Sequence, residues 1–299
     1  MVKMSCDFRT ISKGKRRNPK NPIVKAFGSL RNGIDGSSHE YVEDPCDADL
    51  VFVFGSVTRR KEGTDRARAI LGHRRDKRHI ASLDIGFLKK DSNVFRVGYG
   101  DCTGEGRFLF EPRPSRVKIF GVSLKEVVRR DPGLPILILL QSERGWTYDD
   151  PLSMDEWLRR TIEDIGDDRE ILLKPHPTSQ QSLCCGDYGS NVRILPVDPK
   201  RKNMSSVLAD VGAVITHSSS GVIESLIEGI PSFSLSPRCV AHRYTCHDLA
   251  MLGNLENYDF GNRQKMIEDW AANTHHVTEF NTEWVERFWL EIQNKKNNH

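Results

Sequence analysis

The chain has no apolar run long enough to cross a membrane: the longest, Leu134 to Leu140 with Pro135 inside it, is far short of the roughly 20 residues a spanning helix needs. Nothing at the N-terminus resembles a secretory signal. Lys3, Asp7, Arg9, Lys13, Lys15, Arg16 and Arg17 crowd there with no apolar segment behind them, so the expected compartment is the cytoplasm. Paired cysteines are also lacking. Cys6, Cys46, Cys102, Cys184, Cys185, Cys239 and Cys246 are odd in number and include no C-x-x-C spacing, which excludes a closed disulfide framework and a structural zinc site. They read as free thiols, with Cys184-Cys185 in a solvated loop. There is no internal repeat, low-complexity tract, zinc finger or RNA-recognition motif.

What is present is an ordinary globular composition. With 299 residues, 37% hydrophobic and 28% charged, the chain can bury two cores, and two domains are expected. The net charge of +3 conceals a polarity. Residues 1–130 hold 28 Lys/Arg against 16 Asp/Glu, a surplus of 12, while the remainder carries 16 against 25, a deficit of 9. The two halves are therefore expected to meet different partners.

Residues 1–22, ending KGKRRNPKNP, are basic and aperiodic and read as a flexible arm. Short β-rich runs follow at Ile23–Phe27, Leu50–Phe54, His79–Leu83 and Val94–Val97, with helices at Thr58–Leu71 and Arg116–Arg130. The Asp131–Pro135 segment breaks the pattern, which sets domains at 23–132 and 133–299. The second domain runs as strand 136–140, helix 153–165, strands 170–173 and 192–195, helix 204–210, strand 213–216, helix 220–228 and strand 232–235, the alternation of a parallel α/β sheet. Each domain reads as Rossmann-like. Trp284, Phe288 and Trp289, at helical spacing within 282–293, predict a packed helix closing the second domain.

The sharpest motif is Val214-Ile-Thr-His217-Ser218-Ser219-Ser220-Gly221-Val-Ile-Glu224, a buried strand passing through a hydroxyl-rich turn into a helix. Backbone N–H groups and the positive helix end converge on such a turn, so it suits a phosphate, with Ser220 as N-cap. Glu224, one turn on, suits a ribose diol. Lys174-Pro175-His176-Pro177 follows another strand at the same sheet edge, its prolines fixing His176 for a bond to a diphosphate or a leaving oxygen.

The pairing of K-P-H-P with H-S-S-S-G-V-I-E-S-L-I-E-G-I-P-S-F resembles the donor domain of capsule-polysaccharide and Kdo-type glycosyltransferases, and of polysialyltransferase-like enzymes with an HP motif. The resemblance covers roughly residues 136–240. It implies a GT-B fold, two Rossmann-like domains facing each other across a cleft, with a nucleotide-sugar co-substrate and neither metal nor cofactor. It assigns His176 to the HP motif, Ser219 and Ser220 to phosphate binding and Glu224 to the acidic position; Gln141, Lys174 and Ser218 complete the expected donor set. Arg96–Gly104, Ile138–Gln141 and Trp270 also resemble uncharacterised bacteriophage proteins, which carry Asn where this chain has Gly100. A phage protein would work in the host cytoplasm.

Transfer to an acceptor hydroxyl needs a base from the first domain. Asp35, Asp84 and Asp101 each follow a predicted strand, and Asp35, in a Gly- and Ser-rich turn, is the preferred one. Asp47-Ala48-Asp49 has the D-x-D form by which another glycosyltransferase fold holds metal, but it precedes its strand and reads as a surface turn. Arg16, Arg17, Arg59, Arg60, Arg74, Arg75, Lys77 and Arg78 make the first domain a polyanion-attracting face. The leading expectation is therefore a phage-type glycosyltransferase acting on double-stranded DNA that carries a hydroxymethylated pyrimidine, the base being extruded. A capsule or lipid-linked glycan transferase is the first alternative. A non-catalytic nucleic-acid-binding protein with a degenerate donor fold is the second.

Overall fold

A computed structural model describes all residues except 57–63, 87, 89, 90, 128–130, 132, 143–147, 167, 177–185, 197–203, 298 and 299. The chain divides into two units, Met1–Val122 with Ile267–His299, and Ser123–Met266. In the first unit β1 (Lys3–Cys6) leads through α1 (Lys13–Arg16) and α2 (Pro22–Asp35) to β2 (Glu40–Tyr41), β3 (Leu50–Phe54), α3 (Asp65–Arg75), β4 (His79–Ile85), β5 (Val94–Tyr99) and α4 (Pro114–Phe120). The second unit contains β6 (Ile136–Leu139), α5 (Met154–Ile165), β7 (Ile171–Lys174), β8 (Val192–Ile194), α6 (Met204–Ala209), β9 (Ala213–Thr216), α7 (Val222–Ile227) and β10 (Ser232–Ser234). Helix α8 (Arg263–Ala272) carries the chain back to β11 (Thr274–His276) and α9 (Thr282–Asn297). Among the described residues no helix is long and apolar enough to cross a membrane.

Two sequence expectations for the first unit are corrected here. Residues 1–22 are not an unstructured arm, because Met4, Ser5 and Cys6 pair with Leu50, Val51 and Phe52, placing β1 inside the sheet between β2 and β3. Ile23–Phe27 is not a strand but the start of α2. Asn21 caps that helix by accepting the Ile23 N–H at 3.0 Å, and Pro22 fills the first turn. Ile23, Ala26, Phe27, Leu30 and Ile34 are its buried face, a helical spacing rather than an alternating one.

Four parallel strands and an antiparallel margin make the first sheet, in the order β11-β5-β4-β3-β1-β2. Helix α9 belongs to this unit, not to the second as its place in the chain implies. Trp284 and Phe288 stack at 4.8 Å and pack on Phe52 and Phe110. With that acidic segment added and residues 123–130 assigned to the second unit, the first unit holds 28 basic and 21 acidic residues and the second 16 and 20, so the surplus shrinks to 7 and the deficit to 4.

The second sheet is wholly parallel, ordered β10-β9-β6-β7-β8. Its strands alternate between two buried faces: Ile136, Ile138, Ile171, Leu173 and Ile215 pack with Trp157 and Leu158 of α5, while Leu137, Leu139, Leu172 and Val214 pack with Leu208 and Ile230. Numbered within the unit, this is the doubly wound order in which the winding reverses between the first and fourth strands, here β6 and β9. Ligands of such sheets bind outside the carboxyl ends of the strands at that reversal.

Candidate functional site

At that reversal Leu139, Leu140, Lys174, Pro175, His176, Met204, Ser219, Ser220, Gly221 and Glu224 enclose a cavity of about 130 Å³. Three strand ends deliver all of these but Met204, which opens α6: β6 ends at Leu139, β7 at Lys174 and β9 at Thr216, before the serine turn. The turn is held from below. Thr216 Oγ1 donates to the Leu139 carbonyl at 2.9 Å and accepts the Ser219 N–H at 3.0 Å, tying the loop to the neighbouring strand. Ser219 Oγ then accepts the Gly221 N–H at 3.3 Å.

Ser220 is therefore not the helix cap. Gly221 occupies the N-cap position with no side-chain cap, and Ser220 is exposed at the cavity rim. A Cβ on Gly221 would meet Met204 Cε at 2.9 Å and Leu139 Cδ1 at 3.1 Å, a close approach that the flexible ends of those side chains would have to yield to. Gly221, Leu139, Leu140 and Met204 are lining residues that sequence reasoning did not single out. Met204 opens a short helix with no chemical motif to mark it.

Of the seven residues expected to hold a donor, Lys174, His176, Ser219, Ser220 and Glu224 meet at the cavity. Ser218 and Gln141 bond to each other instead, Ser218 Oγ donating to Gln141 Oε1 at 2.7 Å, and both are buried. Among the described residues Gln141 Nε2 has no hydrogen-bond partner, a buried amide with one end unsatisfied. His217, absent from the expected set, lies against Tyr148 and Trp157, 3.0 Å from Ser218 Oγ through Nδ1 and 3.3 Å from Asp150 through Nε2. An Asp-His-Ser-Gln chain thus anchors the turn. Aromatic flanks and a neighbouring D-D pair were its only sequence signals.

The three candidate bases of the first unit have different surroundings. Asp35 is the last residue of α2, not a residue in a turn after a strand; its side chain is 55% exposed and lies 3.9 Å from Arg31. Asp101 is buried and saturated. It accepts from Ser56 Oγ at 2.5 Å, Arg74 at 2.8 Å and the Thr103 N–H at 2.8 Å. Asp84 lies near the carboxyl end of β4, accepts the Ile85 N–H at 2.8 Å and faces Arg96 at 3.7 Å. Burial raises its carboxyl above the ordinary value, opposed by the Arg96 and Arg66 charges.

The basic residues are divided among several surroundings. Arg16, Arg75 and Arg78 line one groove. Arg74 turns to Asp101, Lys77 adopts a left-handed φ of 56°, and Arg17 is the exposed C-cap of α1. Arg59 and Arg60 lie outside the described residues, as do Pro177, Cys184 and Cys185. Asp49 of the D-A-D segment accepts the Lys3 N–H at 2.9 Å, a structural bond at the start of the sheet.

Two α/β units, one with the doubly wound strand order and a cavity at its reversal, define the architecture. No family model and no curated protein matches the chain. Among solved structures, the chain is similar to the KpsC β-Kdo 2,4 transferase of Thermosulfurimonas dismutans, with a TM-score of 0.50, 14% identity and 92% of each chain covered. It also matches that organism's KpsC β-Kdo 2,7 transferase (TM-score 0.47, 12% identity, 99% and 100% covered) and the Methanocaldococcus jannaschii UDP-GlcNAc 2-epimerase (0.34, 11%, 95% and 99%). The likeness to the 2,4 transferase shows that the fold is GT-B, the fold expected from the HP and serine motifs.

Proposed function

We propose that the chain is a glycosyltransferase that binds a nucleotide sugar at the β6–β9 reversal and moves the sugar to an acceptor hydroxyl without metal or cofactor. The observation that supports this is the convergence of Lys174, His176, Ser219, Ser220 and Glu224 from separate strand ends on one cavity. Its 130 Å³ is below the roughly 300–1,000 Å³ of whole-ligand pockets, so it takes the diphosphate and adjoining ribose rather than the full donor. Lys174 and His176 offset charge on the departing phosphate, the serine hydroxyls donate to phosphate oxygens, and Glu224 accepts from the ribose diol. Asp84 is the proposed base.

The proposed acceptor is a hydroxymethylated pyrimidine of double-stranded DNA, met in the cytoplasm. The first unit's excess of 7 positive charges supports that acceptor. A glycan acceptor is the second reading, favoured by the likeness to a Kdo transferase. Ser219→Ala, Ser220→Ala and Glu224→Ala should each weaken nucleotide-sugar binding by about 1–3 kcal/mol, the scale for a lost bond to a charged group. Calorimetric titration in EDTA measures this; unchanged affinity in all three variants removes the donor site. Nucleoside mass analysis after incubation with hydroxymethylated DNA separates the two acceptors.

A further inference from the structure

A second concavity lies wholly within the first unit, apart from the donor site. Arg9 and α1, with Lys13 and Arg16, form one wall; α3 and its following turn, with Arg68, Arg75 and Arg78, form the other. The volume is about 480 Å³. Six cationic side chains line it against two carboxylates, Asp65 and Asp76. Arg68–Asp65 at 2.6 Å and Arg75–Asp76 at 3.3 Å are surface pairs, weak and screened, which a stronger anion displaces, whereas Arg78, 15% exposed, is held by Asp76 at 2.5 Å and by the Cys46 carbonyl at 2.7 Å. Arg9 is fixed differently. It forks onto buried Asp7 through Nε and Nη2 at 2.9 and 2.8 Å while its side chain stays 48% exposed, a pre-oriented cation at the wall.

The wall on α3 carries an independent sign of an occupant. Gly72 sits within the helix, where glycine costs stability relative to alanine, yet a Cβ there would meet nothing within 4 Å. Packing does not require it. Gly72 and, one turn earlier, buried Ala69 line the groove beside Arg68 and Arg75 with no long side chain of their own.

We propose that this groove seats the phosphodiester backbone of DNA, Gly72 and Ala69 allowing the strand close approach while the six cations replace its counterions. The polymer's identity rests on the acceptor reading above; the seat itself rests on charge and shape. Anisotropy of a short labelled duplex, titrated with the full-length chain at several salt concentrations, tests it. The log–log salt slope for the native chain should equal several phosphate contacts at about 0.9 each, and Lys13→Gln/Arg16→Gln/Arg68→Gln should flatten it by up to three such steps. Gly72→Leu should weaken binding at least tenfold without changing formal charge, and Gly72→Ala should leave it within about twofold. Thermal melts confirm that each variant folds.

A native slope near zero, a Gly72→Leu chain that binds as well as native, or tripolyphosphate binding without duplex binding would overturn the proposal. Duplex binding that behaves as expected while hydroxymethylated DNA is never glycosylated would sink only the acceptor reading.

Discussion

At the scale of single residues, the choice among three carboxylates turns on what each already holds. Asp101 accepts from a hydroxyl, a guanidinium and a backbone amide, so taking a further proton would break bonds in a buried site. Asp35 is solvated at a helix end. Asp84 has one backbone bond at 2.8 Å and a buried ion pair with Arg96 at 3.7 Å, looser than the contacts of Asp101, and burial raises its carboxyl, the direction that strengthens a base. Asp84→Asn should lower turnover by about 10²–10⁴-fold with donor affinity unchanged, and Asp35→Asn should leave both within about twofold. Because the Asp84 carboxyl is raised, the acid limb of the rate profile should lie above the ordinary carboxylate range. Steady-state rates between pH 4 and 8 decide it: an undiminished Asp84→Asn rate would return the role to another residue.

Among the elements, α9 ties the C-terminal segment to the core of the first unit. Trp284 is 7% exposed, and with Phe288 it closes the core over Phe52 and Phe110. Trp284→Ala should destabilise the first unit by about 3–5 kcal/mol in denaturant titration; a loss under about 1 kcal/mol would show that α9 merely rests on the sheet. Much of the second unit was legible in sequence, because its strands are apolar runs punctuated by the K-P-H-P and serine turns. The cavity's polar half was legible for the same reason. Its apolar half was not: Leu139 and Leu140 look like any buried strand, and Met204 carries no motif. The first unit misled at α2, where I-V-K-A-F reads as β-rich until Asn21-Pro22 and the spacing through Ile34 are weighed together. The assignment of α9 was illegible for another reason. Chain proximity favours the second unit, and only the aromatic match to Phe52 and Phe110, far away in sequence, decides otherwise.

For the whole molecule, the two units should respond differently to acid. Burial alone would raise the Asp7 carboxyl, but bonds from His73 and Arg9 outweigh it and hold it at about 2; Glu279, also raised by burial, is brought to about 2 by His275 and Arg116. Both belong to the first unit. With folded values below unfolded ones near 3.8 and 4.5, the unfolded chain binds more protons, so this stability is complete above about pH 5 and drains as pH falls toward 2. Asp7, with its side chain 1% exposed, contributes on the order of 2 kcal/mol; Glu279, a third exposed, contributes only a fraction of that. Asp84 acts oppositely, since a raised carboxyl favours the folded state as pH falls, and it offsets part of the loss. In the second unit the depressed carboxyls of Asp155 and Glu156 sit at the start of α5 near solvent, where they count for little. Hydrogen exchange at pH 7 and pH 3, corrected for intrinsic rates, should show protection in β1, β3 and β4 falling by more than that in β6, β7 and β9. Asp7→Asn should remove most of that difference by weakening the first unit already at pH 7. Equal losses in both sheets, or an earlier loss in the second, would mean that the Asp7–His73–Arg9 cluster does not set the acid stability of the unit that contains it.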